Sequence, residues 1–358
     1  MSKKFSDKLK NFLWGLKKNK KALITTVIVV FVVGIGVLGY FVFRGDEVLI
    51  GNKAAEDTTE KVRRFIDGQY VTIDKANIYP VGIQIENLIT VRPQHGLSRA
   101  NLVYEALAEG GITRFLAIYA SGDRLEKIGP VRSSRPYFLD WLTEFNAVYL
   151  HCGGSPQALS DIATFDVLSL NQIGGDHQYY WRDEERPRPH NLYTSHELIA
   201  RAFRDKEFPE EGDYDPWLFK DEVKKSARPT EEKFIKVDFL TYSYEVEYKY
   251  DRNQNVYKRF QAGEAHSDEL TKEQIAPKNV AVMYVDTELA DESRLTMETI
   301  GEGEALVFQD GKAIEATWKK AARESRTRFY DKNDKEIRFN AGSTWIEVMP
   351  TDRTVEYN

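Results

Sequence analysis

The longest apolar run, Ala22–Phe43 (ALITTVIVVFVVGIGVLGYFVF), contains no charged residue and predicts a membrane-spanning helix. As a helix it rises ~1.5 Å per residue to about 33 Å, enough for the hydrocarbon core of a bilayer. Beyond it the apolar runs are short. Val81–Glu86 (VGIQIE), Arg114–Ala120 (RFLAIYA) and Ala147–Leu150 predict buried strands. Leu102, Val103, Ala106 and Leu107 recur at helical spacing and predict a helix over Arg99–Glu109, capped by Ser98 and stopped by Gly110 and Gly111. Tyr137, Phe138, Trp141, Leu142 and Phe145 predict a second helix behind Pro136. Ser155-Pro156 opens a third over Gln157–Thr164. Thr194 and Glu197 read as a capping box for a helix over His196–Lys206.

The pattern changes near residue 207. Pro209, Pro216 and Pro229 punctuate a charged connection over residues 208–234. Tyr242, Tyr244, Val246, Tyr248 and Tyr250 then alternate with polar residues as a half-buried antiparallel strand. Turn signals at Arg252–Gln254, Asp310-Gly311 and Lys332–Asp334 separate further strand-like runs. The expected fold class is an α/β domain over 79–207 followed by a mostly β domain over 235–350, mixed α+β overall. Residues 44–78 read as a stalk, with a short helix or strand near Val62–Ile66, and 351–358 as a tail.

Charge adds direction. Residues 1–21 hold eight lysines and Asp7, a net of +7, which leaves −13 of the total −6 to residues 22–358. Lys17, Lys18, Lys20 and Lys21 abut the apolar run, so the positive-inside rule places the N-terminus in the cytoplasm and the bulk of the chain outside, on a single-pass anchor. An acidic outer part excludes nucleic acid as a natural partner. The single cysteine, Cys152, excludes an intrachain disulfide and lies far from the apolar run, which excludes a lipid-modified N-terminus.

The candidate chemistry centres on Gly129–Asp140 (GPVRSSRPYFLD). Arg132 and Arg135 flank Ser133 and Ser134 at an expected helix start, where free amides favour an anion. The competing reading pairs both arginines with carboxylates of the same domain. On the expected helix, Asn101, Glu105 and Glu109 share one face and Arg114 follows, so both glutamates would line a polar cleft with the arginines. His177, His190 and His196 match no ligand spacing, so no metal or cofactor is expected. His190 and Asn191 order a loop or contact a ligand, and Arg182 extends the basic cluster. Ser155 lacks the surroundings of a nucleophile and reads as a helix cap.

The runs GLSRANLVYEALAEGGITRFLAIY, IGPVRSSRPYFLDW, HCGGSPQAL and WRDEERPRPHNLYT resemble the YerB-like family of bacterial envelope proteins, over roughly residues 79–350. The resemblance implies an envelope location without an established activity. It also implies a small residue in place of Cys152, hence a packing role there. Two functions follow as expectations. The first is a non-catalytic binding or scaffolding module for an anionic envelope ligand or a cell-wall partner protein. The alternative is an envelope-polymer enzyme, either a glycan hydrolase using Glu105 or Glu109, or a phosphotransferase similar in architecture to the LytR–CpsA–Psr proteins.

Overall fold

The computed structural model describes Lys10 and residues 60–358, and the expected membrane helix over 22–43 lies outside the described residues. Glu60–Asn358 forms one unit. It is mostly β with few helices, organised on a ten-stranded mixed sheet. In chain order the strands are β1 (Val81–Glu86), β2 (Leu102–Leu107), β3 (Thr113–Tyr119), β4 (Val148–His151), β5 (Ser169–Asn171), β6 (Asn279–Val285), β7 (Gly301–Gln309), β8 (Lys312–Lys320), β9 (Arg328–Asp331) and β10 (Thr344–Pro350). Their spatial order is β9-β8-β7-β6-β10-β2-β3-β1-β4-β5. Segments 79–207 and 235–350 therefore share one sheet, joined where β10 runs parallel to both β2 and β6. A separate five-stranded sheet, built largely from Phe234–Val237, Val246–Asp251 and Val256–Gln261, packs over part of one face.

Residues Leu102–Leu107 are a strand and not the expected helix. LVYEAL is apolar at positions that suit either period. What decides it is cover on both faces. Leu102, Tyr104 and Ala106 pack beneath helix α1 (Pro136–Leu142), while Val103 and Leu107 face the opposite side. A strand buried on both faces loses the polar alternation that would identify it. Helices α2 (Pro156–Thr164) and α3 (His196–Lys206) form as local capping predicts, although Ser195, not Thr194, accepts from the Leu198 amide at the start of α3. Tyr242–Tyr244 is a 3-10 turn, so the alternating strand begins at Val246. Residues 60–78, expected within a stalk, instead form a hairpin of Lys61–Arg63 and Tyr70–Thr72 with Ile66 and Asp67 buried. Asp67 bonds Asn101 Nδ2 at 2.9 Å.

Two buried charge clusters tie the sequence segments together. Glu144, just after α1, meets Lys320 Nζ at 3.2 Å and Arg326 Nη1 at 2.6 Å. The Arg326 guanidinium lies 4.1 Å from the Phe145 ring centre and 3.9 Å from that of Trp217. In the second cluster Arg259, from the five-stranded sheet, reaches Glu105 of β2, and both are fully buried.

Candidate functional site

The GPVRSSRP segment is extended, not a helix turn. Bridges link His95 to Gly129, Ile85 to Val131, and Ser134 to Gly154, threading it between β1 and the turn after β4. Gly129 has φ of 141°, and a Cβ there would lie 2.9 Å from the Leu192 carbonyl oxygen and from the Val131 nitrogen. Backbone on both sides cannot yield, so Gly129→Ala is expected to destabilise the fold by about 3 kcal/mol, read as a lowered Tm.

Neither serine caps a helix. Arg135 occupies the N-cap position of α1 without a side-chain cap, and Pro136 takes the first helical position. Ser133 Oγ donates to the Cys152 carbonyl at 3.0 Å, and the Ser134 amide donates to the Gly153 carbonyl at 2.9 Å. Their role is to fasten the arginine segment to the HCGGS turn. The seven-residue helix supplies little dipole, so the charge here comes from side chains.

Glu109 and Arg135 form an ion pair, and Arg114 Nη2 bonds the same carboxylate at 3.1 Å. Arg114 Nη1 also donates to the Ser133 carbonyl at 3.1 Å. Burial alone would raise the Glu109 pKa, but the Arg135 hydrogen bond and the charges of Arg114 and Arg135 outweigh it and hold the carboxyl below its usual range. Next to this triad stands Glu86, which the sequence reading missed. Glu86 on β1 and Arg114 on β3 are cross-strand partners, so their side chains leave the same face. Glu86 meets Arg132 Nε at 3.0 Å and His190 Nδ1 at 2.9 Å. A lone carboxylate closing the apolar strand VGIQIE was the available signal, because such a residue needs a partner to be buried.

Glu105 does not join this cluster. It is the cross-strand partner of Phe115, one residue after Arg114, and alternation turns it to the other face. There it accepts from Arg259, from Thr113 Oγ1 at 2.5 Å and from Asn87 Nδ2 at 3.2 Å, with no exposed surface. The expected Glu105–Glu109 face was an artefact of helical spacing.

The remaining candidates converge. Arg182 donates to Asn191 Oδ1 at 2.9 Å, and buried Asn191 donates to the Asp183 carbonyl at 2.8 Å. Burial pushes the Cys152 thiol up, with Arg182 and Arg132 acting against it, so both guanidinium groups stand near that sulfur. The half-buried thiol, its ionisation opposed, is a poor nucleophile. Buried His151 is fixed by the Gly153 carbonyl at 2.8 Å and Ser169 Oγ at 2.9 Å. Arg132 lies against the Glu86 carboxylate through Nε, a charge contact without the geometry of a hydrogen bond. Its terminal nitrogens make no hydrogen bond among the described residues, and its side chain is 21% exposed.

Comparison with known proteins gives one consistent result. Residues 68–209 match the N-terminal domain, and residues 235–346 the C-terminal domain, of the protein of unknown function DUF3048. The Bacillus subtilis (strain 168) protein named "Putative lipoprotein YerB" is 33% identical over 302 residues, covering 83% of this chain and 89% of that protein. The crystal structure of YerB from Bacillus subtilis aligns with a TM-score of 0.75 at 31% identity, over 83% of this chain and 100% of that one.

Proposed function

The chain belongs to the YerB-like family of unknown function, DUF3048, and on that premise we propose that it is a membrane-anchored, extracytoplasmic binding module for an anionic envelope ligand. The observation that carries this reading is the division of labour among the arginines. Arg135 and Arg114 are held by Glu109, whereas Arg132 keeps its terminal nitrogens free beside Arg182. Glu86 and Glu109 act as the struts that aim the guanidinium groups. The free fork of Arg132 suits a phosphate or carboxylate.

The same pairing argues against a glycan hydrolase. A general acid needs a raised pKa and reach to substrate, but Glu109 is held low by two arginines and Glu105 is sealed in the core. The relative's name calls it a lipoprotein; this reading instead takes the uncharged run over 22–43, flanked by lysines on its N-terminal side, as the anchor, with the N-terminus cytoplasmic. The test is co-sedimentation of the full-length protein with isolated cell walls. An Arg132→Ala/Arg182→Ala double variant is expected to bind about 10–100-fold more weakly, since charged hydrogen bonds contribute ~1.5–3 kcal/mol. Unchanged binding would overturn the reading.

A further inference from the structure

Helix α3 is amphipathic, yet Ala202 is its one buried residue. Its apolar stripe stands over a half-open cavity of about 430 Å³ beside the Val81–Tyr119 end of the β1–β3 pair. Ile78, Val81, Leu125, Ile199 and Phe203 make the walls apolar. Tyr79 and Tyr119 also reach the cavity, but Tyr79 directs its hydroxyl to the Asn146 carbonyl and Tyr119 to the Gly96 carbonyl. Their rings therefore present carbon, and the Phe203 ring meets that of Tyr79 edge-on at 6.0 Å. The volume lies in the ~300–1,000 Å³ range of small-molecule sites.

The charged side chains of the lining are Asp123, Glu210 and Arg204. All three are exposed, which puts them at the mouth, and none is in an ion pair among the described residues. His196 also lines the cavity. Burial, with the nearby Arg124 guanidinium, holds its pKa below the ordinary value against the pull of Asp123, so it adds no charge at neutral pH. On the adjoining surface Arg124 stands with Glu126 and Glu197, again exposed and without an ion pair among the described residues. The neighbouring Lys127, Arg201 and Lys206 are each held by an aspartate, Asp183, Asp205 and Asp176 in turn. Glu211, bridged to Ile78, and Asp213, close to Tyr79, add further negative charge. Carboxylates therefore outnumber guanidinium groups both in the lining and around it.

We propose that this cavity binds a small apolar molecule carrying one ammonium group. The hydrocarbon part fills the cavity, and the ammonium stays at the mouth beside Asp123 and Glu210. There it keeps contact with water, so no bare charge is buried. A carboxylate or phosphate in the same place would reach Arg204 only alongside two like charges, which opposes it. An uncharged head would gain from neither sign. The site is distinct from the Arg132 cluster and does not rest on the function proposed for that cluster.

The test uses full-length protein in phosphatidylcholine nanodiscs. Three matched probes, a benzylamine, a benzyl alcohol and a benzoate, carry the same trifluoromethyl-diazirine on the ring, and labelled peptides are mapped by mass spectrometry. The amine is expected to label residues 78–81, 119–128 and 196–204, about threefold more than the alcohol and about tenfold more than the benzoate. Ala200→Trp, which places an indole against the cavity, should reduce that label at least about tenfold. The Asp123→Asn/Glu210→Gln double variant changes only exposed groups and should bring amine labelling down to that of the alcohol. Amine label confined to other segments, or undiminished by Ala200→Trp, overturns the site. Labelling by the alcohol or the benzoate as strong as by the amine, or an amine preference that survives the double variant, overturns the ammonium assignment.

Discussion

Glu105→Gln is expected to destabilise the protein by about 3–5 kcal/mol, whereas Glu347→Gln should cost less than about 1 kcal/mol, both read from denaturant unfolding of the full-length chain. The two carboxyl groups are register neighbours on the parallel strands β10 and β2, and both are fully buried. One arginine, Arg259, faces the pair. Glu347 Oε1 accepts from the Tyr248 hydroxyl, while Oε2 has no donor. Burial, and next the proximity of Glu105, raise the Glu347 pKa well above its ordinary value, so Glu347 holds a proton. A glutamine amide there replaces one neutral donor by another. Glutamine at 105 instead removes the partner of a guanidinium that has no water to turn to. Equal losses from the two substitutions would show that the charges are distributed otherwise.

A second large effect is expected from pH. His95 and His151 are each lowered to about 4, and His266 well below its ordinary value. Burial is the leading cause in all three, supplemented by Lys127 at His95 and by Arg259 at His266. A depressed folded value means that the unfolded chain gains protons first. The stability these residues provide is complete above the unfolded value of ~6.5 and is lost as pH falls toward the folded one. Glu347 has the opposite sign, its contribution declining as pH rises above ~4.5. The depressed histidines outnumber Glu347, so the net effect is a loss of stability as pH falls from about 6.5 toward 4. Above about pH 7 the histidines fall silent, and Glu347 acts in the opposite sense, its contribution being lost as pH rises toward its raised folded value. Thermal unfolding across pH should therefore show a maximum near neutrality with a steeper acid limb. His151→Gln should flatten that limb by about one proton.

Elements fixed by neighbours in sequence were the legible ones. Ser155-Pro156 starts α2 through its own hydroxyl, and Asp310-Gly311 turns the β7–β8 hairpin through its own backbone preference. What failed depended on partners far along the chain. LVYEAL reads as a helix until Arg259 and a second sheet are known to cover the Glu105 side. Glu86 is a plain strand terminus until Arg132 and His190 arrive beside it. The arginine segment itself was legible as a cluster, and the expectation that glutamates hold it proved right for Glu109. Which face each carboxylate occupied was not legible, because it turns on helix or strand period.

The position of β10 also sets a timetable. The last strand of the large sheet in chain order, Thr344–Pro350, fills the gap between β6 and β2 near the middle of that sheet. Until it arrives, the apolar edge LVYEAL has no neighbour on that side, and every contact across the gap closes a loop running from residue 102 to residue 344. Such non-local closure is slow, and an unpaired apolar edge invites association with other chains. A chain emerging progressively during synthesis thus spends nearly its whole emergence in this unfinished form. Loss of the last few residues of β10 would remove the keystone of the sheet and not merely trim one end.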